Sequence, residues 1–183
     1  MADHFIIEPL GEHHDRAAFS CSKDPLDQYL RNQAGQAVTK NLAAVFILTP
    51  DGKKIAGYYT LSSYTVKLDE IPGGIAKKLT RMQEIPATLL GRLARSIEFR
   101  GQGIGEILLV DALKRALQNT AHVASWAVIV DAKDELAEKF YRHYGFVPLP
   151  NKPNRLFLPM TSLRKMFPQE AEKASSLSSS DQS

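Results

Sequence analysis

The sequence predicts an α+β fold, a mixed sheet with helices packed on its faces. Three observations lead there. Residues 125–130 (SWAVIV) form a near-continuous apolar run of strand length, the pattern of a strand buried on both sides. Residues 26–40 and 104–117 repeat apolar side chains at the i, i+3, i+4, i+7 spacing of amphipathic helices. Between them, short β-branched and aromatic runs are separated by turn residues, as in a meander. The chain has 183 residues, 44% hydrophobic and 23% charged, enough for one well-filled core.

In chain order, Asp24 reads as an N-cap and Pro25 as the first helical residue. The helix that follows carries Leu26, Tyr29, Leu30, Gln33, Ala34, Ala37 and Val38 on one face, only Gln33 polar, and ends near Lys40. Strands at 44–48 and 55–62 pair across Thr49-Pro50-Asp51-Gly52, and 64–68 continues the meander as a third strand. Residues 71–82, with Pro72, Gly73 and Gly74, form a loop and a short basic helix. A strand at 88–94 leads through a glycine-rich turn into the helix at 104–117. That helix has one apolar face: Ile104, Leu108, Leu109, Ala112, Leu113, Ala116 and Leu117. After the buried strand comes a helix at 135–144, stopped by Gly145 as a C′ glycine. Strands at 146–149 and 156–158 close the sheet. From Pro168 the chain is Ser-rich and poor in large apolar residues, so 1–167 reads as one domain and 168–183 as a disordered tail.

Composition excludes several classes. The single cysteine, Cys21, forbids an internal disulfide framework and a multi-cysteine zinc site, and suits a reducing cytoplasm. No apolar run approaches the roughly 20 residues that span a bilayer, and no signal pattern opens the chain. The expected location is therefore the cytoplasm, with no membrane partner. The five histidines suggest no metal site: His13 and His14 are adjacent and not placed to face one ion, and surface or interface roles suit them all. Cys21 reads as a small buried residue, and Asp131, Asp134 and Glu135 as capping charges at a helix start. The net charge is +3; without the tail from Pro168, 22 basic and 17 acidic residues leave +5 (22 − 17). That balance permits an anionic partner without requiring one.

The chemistry concentrates in Arg100-Gly101-Gln102-Gly103-Ile104-Gly105, between strand and helix. The glycines allow positive φ and close approach of a ligand to the backbone. The helix start behind them offers unpaired N–H groups for a pyrophosphate. A Walker loop is excluded because no Gly-Lys-Ser/Thr follows. A G-x-G-x-x-G dinucleotide loop is excluded because Glu106 and Leu108 stand where its last glycine belongs.

Arg100, Gly103 and Gly105 match the R/Q-x-x-G-x-G/A phosphate loop of the GNAT acetyltransferases, and the chain resembles that family over about residues 5–160. Phe19-Ser20-Cys21, Leu26-Asp27-Gln28-Tyr29-Leu30, residues 57–62, residues 86–94, Val130-Asp131-Ala132 and residues 140–146 (FYRHYGF) are similar to one branch, the toxin-type enzymes of bacterial toxin–antitoxin pairs. Where members often carry Val-Asp, this chain has Arg95-Ser96. The resemblance implies the GNAT fold, with a mixed, mostly antiparallel central sheet and helices on both faces. It implies an acetyl-CoA-dependent N-acetyltransferase that acetylates the α-amino group of aminoacyl-tRNA and blocks translation. It also implies a ribbon-helix-helix antitoxin as partner and a homodimer.

The resemblance places acetyl-CoA against the main chain of Leu93 and Arg95 and in the loop Arg100, Gly101, Gln102, Gly103, Ile104 and Gly105. It makes Tyr141 the acid that protonates the leaving sulfur. A phenol of pKa ~10 suits that task at neutral pH. An α-amino acceptor of pKa ~7.7–8.0 needs no strong base, and Glu98, the nearest carboxylate, reads as a solvated charge. Lys77, Lys78, Arg81 and Arg92, with Arg95, are the expected tRNA contacts; Lys139, Arg142, Lys152 and Arg155 extend that set. Two other functions fit the same loop: acetylation of protein, peptide or small-molecule amines, and a non-catalytic acyl-CoA-binding regulatory module.

Overall fold

The computed structural model describes residues 4–79 and 81–180. Seven strands are ordered β1-β2-β3-β4-β5-β7-β6. They are β1 (Ile6–Pro9), β2 (Ala44–Thr49), β3 (Gly57–Lys67), β4 (Glu84–Arg95), β5 (Ala127–Asp131), β6 (Val147–Leu149) and β7 (Lys152–Pro159). The β4–β5 pair is parallel, while β1–β2, β2–β3, β5–β7 and β6–β7 are antiparallel. The sheet is thus mixed and mostly antiparallel, and helices flank it. The helices are α1 (Asp24–Asn32), α2 (Ala34–Thr39), α3 (Gly73–Leu79), α4 (Ile104–Asn119), α5 (Glu135–His143), α6 (Met160–Met166) and α7 (Pro168–Ser180).

The chain forms two compact units. The first joins residues up to Ser62 with Gly91–Ala112. Its core gathers Phe19, Tyr29, Leu30 and Ala34 against Val45, Ile47, Ile55, Tyr58 and Ala94. The second joins Ser63–Leu90 with the chain from Leu113 onward, and its core packs Val66, Ile71, Ile85 and Ala87 against Ala127, Ile129, Leu149 and Phe157.

The long apolar patterns formed the expected elements. All seven residues of the α4 apolar face are buried, and Ala127 to Val130 are at most 1% exposed. Gly145 follows α5 with φ +97°, and Asp134 caps that helix by accepting from the Ala137 N–H at 2.8 Å.

Elsewhere the outcome differs. The helix expected from 26 to 40 is two, broken at Gln33 (φ −122°, ψ −34°). Gly35 weakens the helix there and makes room for Arg16, whose guanidinium nitrogen would lie 3.1 Å from a Cβ at that position. Lys23, not Asp24, is the N-cap. The expected third strand at 64–68 is the far half of β3, which runs unbroken to Lys67. Neither β1 nor α6 was expected. β1 is short, sits at the sheet edge and carries Pro9, which an edge tolerates. The tail from Pro168 is helical, not disordered, through Ser180. Proline opens it, good helix formers follow, and Ala174 is buried. Residues 181–183 of that tail lie outside the described residues.

Candidate active site

The glycine loop in the first unit is held at its ends and open in its middle. On one side, Ser96 is buried and caps a short 3-10 turn, Ile97–Phe99, by accepting from the Glu98 N–H at 3.2 Å. On the other side, α4 is anchored by fully buried Ile104. Between them, Gly101 (φ +78°) and Gly103 (φ +72°) occupy the left-handed region, and no atom lies within 4 Å of where their Cβ atoms would be. Gly105 does not share that conformation; it sits in the first turn of α4. The Ile107 N–H donates to the Gly103 carbonyl at 3.1 Å, so the amides just ahead of it have no acceptor within the helix. Arg100 and Gln102 are exposed beside them. Open space, free amides, a helix of 16 residues behind them and a guanidinium form a cradle suited to a diphosphate.

The strand leading into the loop is irregular, and the hydrogen bonds locate the irregularity. Leu68 N–H donates to the Gln83 carbonyl at 2.9 Å, and Ser96 N–H donates to the Ala56 carbonyl at 2.8 Å. Leu68 lies 12 residues after Ala56 (68 − 56), whereas Ser96 lies 13 after Gln83 (96 − 83). β4 therefore carries one extra residue relative to β3, a β-bulge. Its pairing with β5 runs from Thr88↔Val128 to Leu90↔Val130, while β4 itself continues to Arg95. Leu93 and Arg95 lie in that continuation, Leu93 half-buried and Arg95 exposed. A strand edge without a β5 partner beyond Leu90 offers main-chain donors and acceptors to an extended ligand arm.

Gly57 explains how α4 comes this close to the sheet. A Cβ there would lie 2.7 Å from Leu108 Cδ1, 2.8 Å from the Ala94 carbonyl oxygen and 3.0 Å from Ile104 Cγ2. Only glycine fits. Its importance was not foreseen, although a glycine opening a strand-like run is the signal that marks such a close approach.

In the second unit, Tyr141 lies on α5 with 8% of its surface exposed, and its ring packs edge-on against Phe140 and Phe146. Its hydroxyl has no hydrogen-bond partner among the described residues. No buried side-chain polar atom there is left unpaired, so the hydroxyl is the end of the side chain that meets solvent. Burial pushes the phenol well above its usual value near 10, and the Asp131 charge adds to the shift. Asp131 is not a helix cap. Arg155 grips both its oxygens, at 2.7 and 2.9 Å, and also hydrogen-bonds the Tyr64 hydroxyl.

The basic residues divide. Lys77 and Lys78 on α3, Arg81 after it, Lys139 and Arg95 are exposed. Arg92 instead lies on the Tyr29 ring, 3.5 Å from its centroid. Arg142 pairs with Glu138, Lys152 with Glu70 and Arg155 with Asp131, so these three are already neutralised. Glu98, half exposed, pairs with Lys54 at 2.5 Å.

Two expectations outside the loop change. Cys21 is only partly buried; burial first, then the Asp27 hydrogen bond, raises its thiol to about 11. His13 and His14 do share a partner, since both Nε2 atoms contact Glu8 Oε1, at 3.0 and 2.7 Å. His14 is buried, not at the surface. These three residues are close enough for a metal ion, but the Gly11 N–H donates to His14 Nδ1 at 2.9 Å. That bond fixes the proton on Nε2, which donates it to Glu8 and leaves no lone pair there for an ion.

Comparison with known proteins agrees with this architecture. The acetyltransferase (GNAT) domain model matches residues 17–167. The tRNA-acetylating toxin of Mycobacterium tuberculosis is 31% identical over 153 residues, covering 84% of this chain and 90% of that protein. The structure of AtaT complexed with acetyl-methionyl-tRNAfMet superposes with a TM-score of 0.83 at 27% identity, covering 90% of this chain and 99% of AtaT. That of AtaTR bound with AcCoA gives 0.79 at 29% identity, with 90% of this chain and 99% of that one covered. A loop shaped to suit a diphosphate, a bulged strand before it and a match through nearly the whole chain lead to one assignment: this protein belongs to the GNAT acetyltransferase family, where it is similar to toxins of toxin–antitoxin pairs.

Proposed function

We propose that this protein is an acetyl-CoA-dependent toxin that acetylates the α-amino group of aminoacyl-tRNA. The observation that carries the reading is its likeness, over 90% of this chain and 99% of the other, to AtaT complexed with acetyl-methionyl-tRNAfMet. The conformation of the loop supports it: positive φ at Gly101 and Gly103 and open space beyond them fit the diphosphate of acetyl-CoA.

When bound, acetyl-CoA supplies the acetyl group as an activated thioester. In this reading Arg100, Gly101, Gln102, Gly103, Ile104 and Gly105 hold its diphosphate, and the main chain of Leu93 and Arg95 holds the extended arm and polarises the carbonyl. Tyr141 keeps a proton on its hydroxyl for the departing sulfur. Lys77, Lys78 and Arg81 meet tRNA phosphates. Arg92, being stacked on Tyr29, contributes its charge from a fixed position. The catalytic body is residues 1–167. The partners are a ribbon-helix-helix antitoxin and a second copy of the chain. No described helix is long and apolar enough to cross a membrane.

The deciding experiment is mass spectrometry of the amino acid released from aminoacyl-tRNA after incubation with enzyme and acetyl-CoA. An acetylated α-amine is expected. Unmodified tRNA together with acetylated peptides or small amines would overturn the tRNA assignment, and acetyl-CoA binding without any transfer would indicate the regulatory module.

A further inference from the structure

The open middle of the glycine loop raises the question of what sets its position. No atom lies within 4 Å of the Cβ positions of Gly101 or Gly103, so packing around them does not. The start of the loop is set by the turn at Ile97–Phe99. The Ile97 N–H donates to the Ser20 carbonyl at 2.9 Å. The Ser20 segment has no regular secondary structure; side chains of α1 hold it instead. Asp27, only 4% exposed, accepts from the Cys21 N–H with Oδ1 at 2.9 Å and from the Ser20 hydroxyl with Oδ2 at 3.4 Å. One helical turn on, Arg31 donates to the Phe19 carbonyl at 2.9 Å. A buried carboxylate that spends both oxygens on one three-residue segment is costly unless the segment's position matters.

We propose that Asp27 is a positioning residue for acetyl-CoA: through Ser20 it fixes the Ile97 amide and hence the entry to the diphosphate loop. The inference rests on the acetyl-CoA reading above. It assigns a binding role to a residue that touches no ligand, and it makes α1 the reference element for the loop.

The test is acetyl-CoA affinity by titration calorimetry, with thermal unfolding of each variant alongside. Asp27→Ala should weaken binding about tenfold, the scale of one charge-assisted hydrogen bond. Asp27→Asn, whose amide can still accept from Cys21 and donate to the Ser20 hydroxyl, should restore near-normal affinity. Ile97→Pro removes the donor at the other end of the relay and, besides it, only a side chain that is already exposed. Ser96 already has ψ 140° and Ile97 is the first residue of its turn, so proline fits there without refolding the backbone. This variant should lose affinity to the same degree, and the double variant should lose no more than either alone. Leu30→Ala, a cavity in the core of the same helix, should lower the unfolding temperature and leave affinity unchanged. Normal affinity in folded Asp27→Ala or in Ile97→Pro, or equal weakening in Leu30→Ala, would overturn the proposal. If the unmodified protein does not bind acetyl-CoA, the underlying reading is what has failed.

Discussion

Tyr141 shows at the residue scale how environment keeps a phenol protonated, as the acid role proposed for it requires. Its ring is enclosed by Phe140 and Phe146 while its hydroxyl meets solvent, and burial, then Asp131, raises its pKa. The sign follows directly: a phenol whose pKa is raised stays protonated through the whole physiological range and loses its proton only above about 10. Turnover should therefore show no alkaline limb from this group below pH ~10. Tyr141→Phe should lower turnover by about 10²–10³-fold while acetyl-CoA affinity, read by calorimetry, stays within about twofold. The motif around Tyr141 was legible in the sequence, but the solvent-facing hydroxyl was not, because it depends on where Phe146 folds back after Gly145. The same limit applies to Asp27 and Ser96. Each is a polar residue whose meaning lies in a partner distant in the chain or in a turn that only tertiary packing defines.

Legibility at the element scale followed the strength of the periodic signal. The α4 face, the four buried residues of β5 and the Gly145 stop of α5 formed as the pattern indicated, because each is long or chemically unambiguous. The break at Gln33 escaped notice because apolar periodicity continues across it, while the local cause is a glycine that seats Arg16. The bulge in β4 is equally silent in sequence, being a mismatch in length between two strands. Gly57 is where these elements meet most tightly. Gly57→Ala should destabilise the protein by about 1–3 kcal/mol, seen as a lower urea midpoint, since the Ala94 carbonyl oxygen is backbone and cannot turn aside. A substitution at half-buried Gly52 (φ +82°), where nothing lies within 4 Å, offers the contrast of φ strain without collision.

For the whole molecule, net charge is where composition and structure join. The chain carries +3, yet of the candidate contacts Arg142, Lys152 and Arg155 are paired with carboxylates, leaving Lys77, Lys78 and Arg81 on and after α3, with Arg95 and Lys139, as exposed cations. If these meet phosphates, KM for aminoacyl-tRNA should rise with salt, and Lys77→Ala with Lys78→Ala should lower the log–log slope by about 2. KM for acetyl-CoA should not follow that slope. An unchanged slope in the double variant would move the RNA contact elsewhere. By itself the sequence determined the α+β class, the place of the glycine loop between strand and helix, and the strands and helices with strong periodicity. These are local, written in neighbouring residues through backbone freedom and burial pattern. Only the tertiary structure decided which cations are free, that the tail is helical, and that β4 is one residue longer than its partner requires. It alone also linked Asp27 to the loop through Ser20. Those outcomes depend on contacts between residues far apart in the chain, which no local pattern encodes.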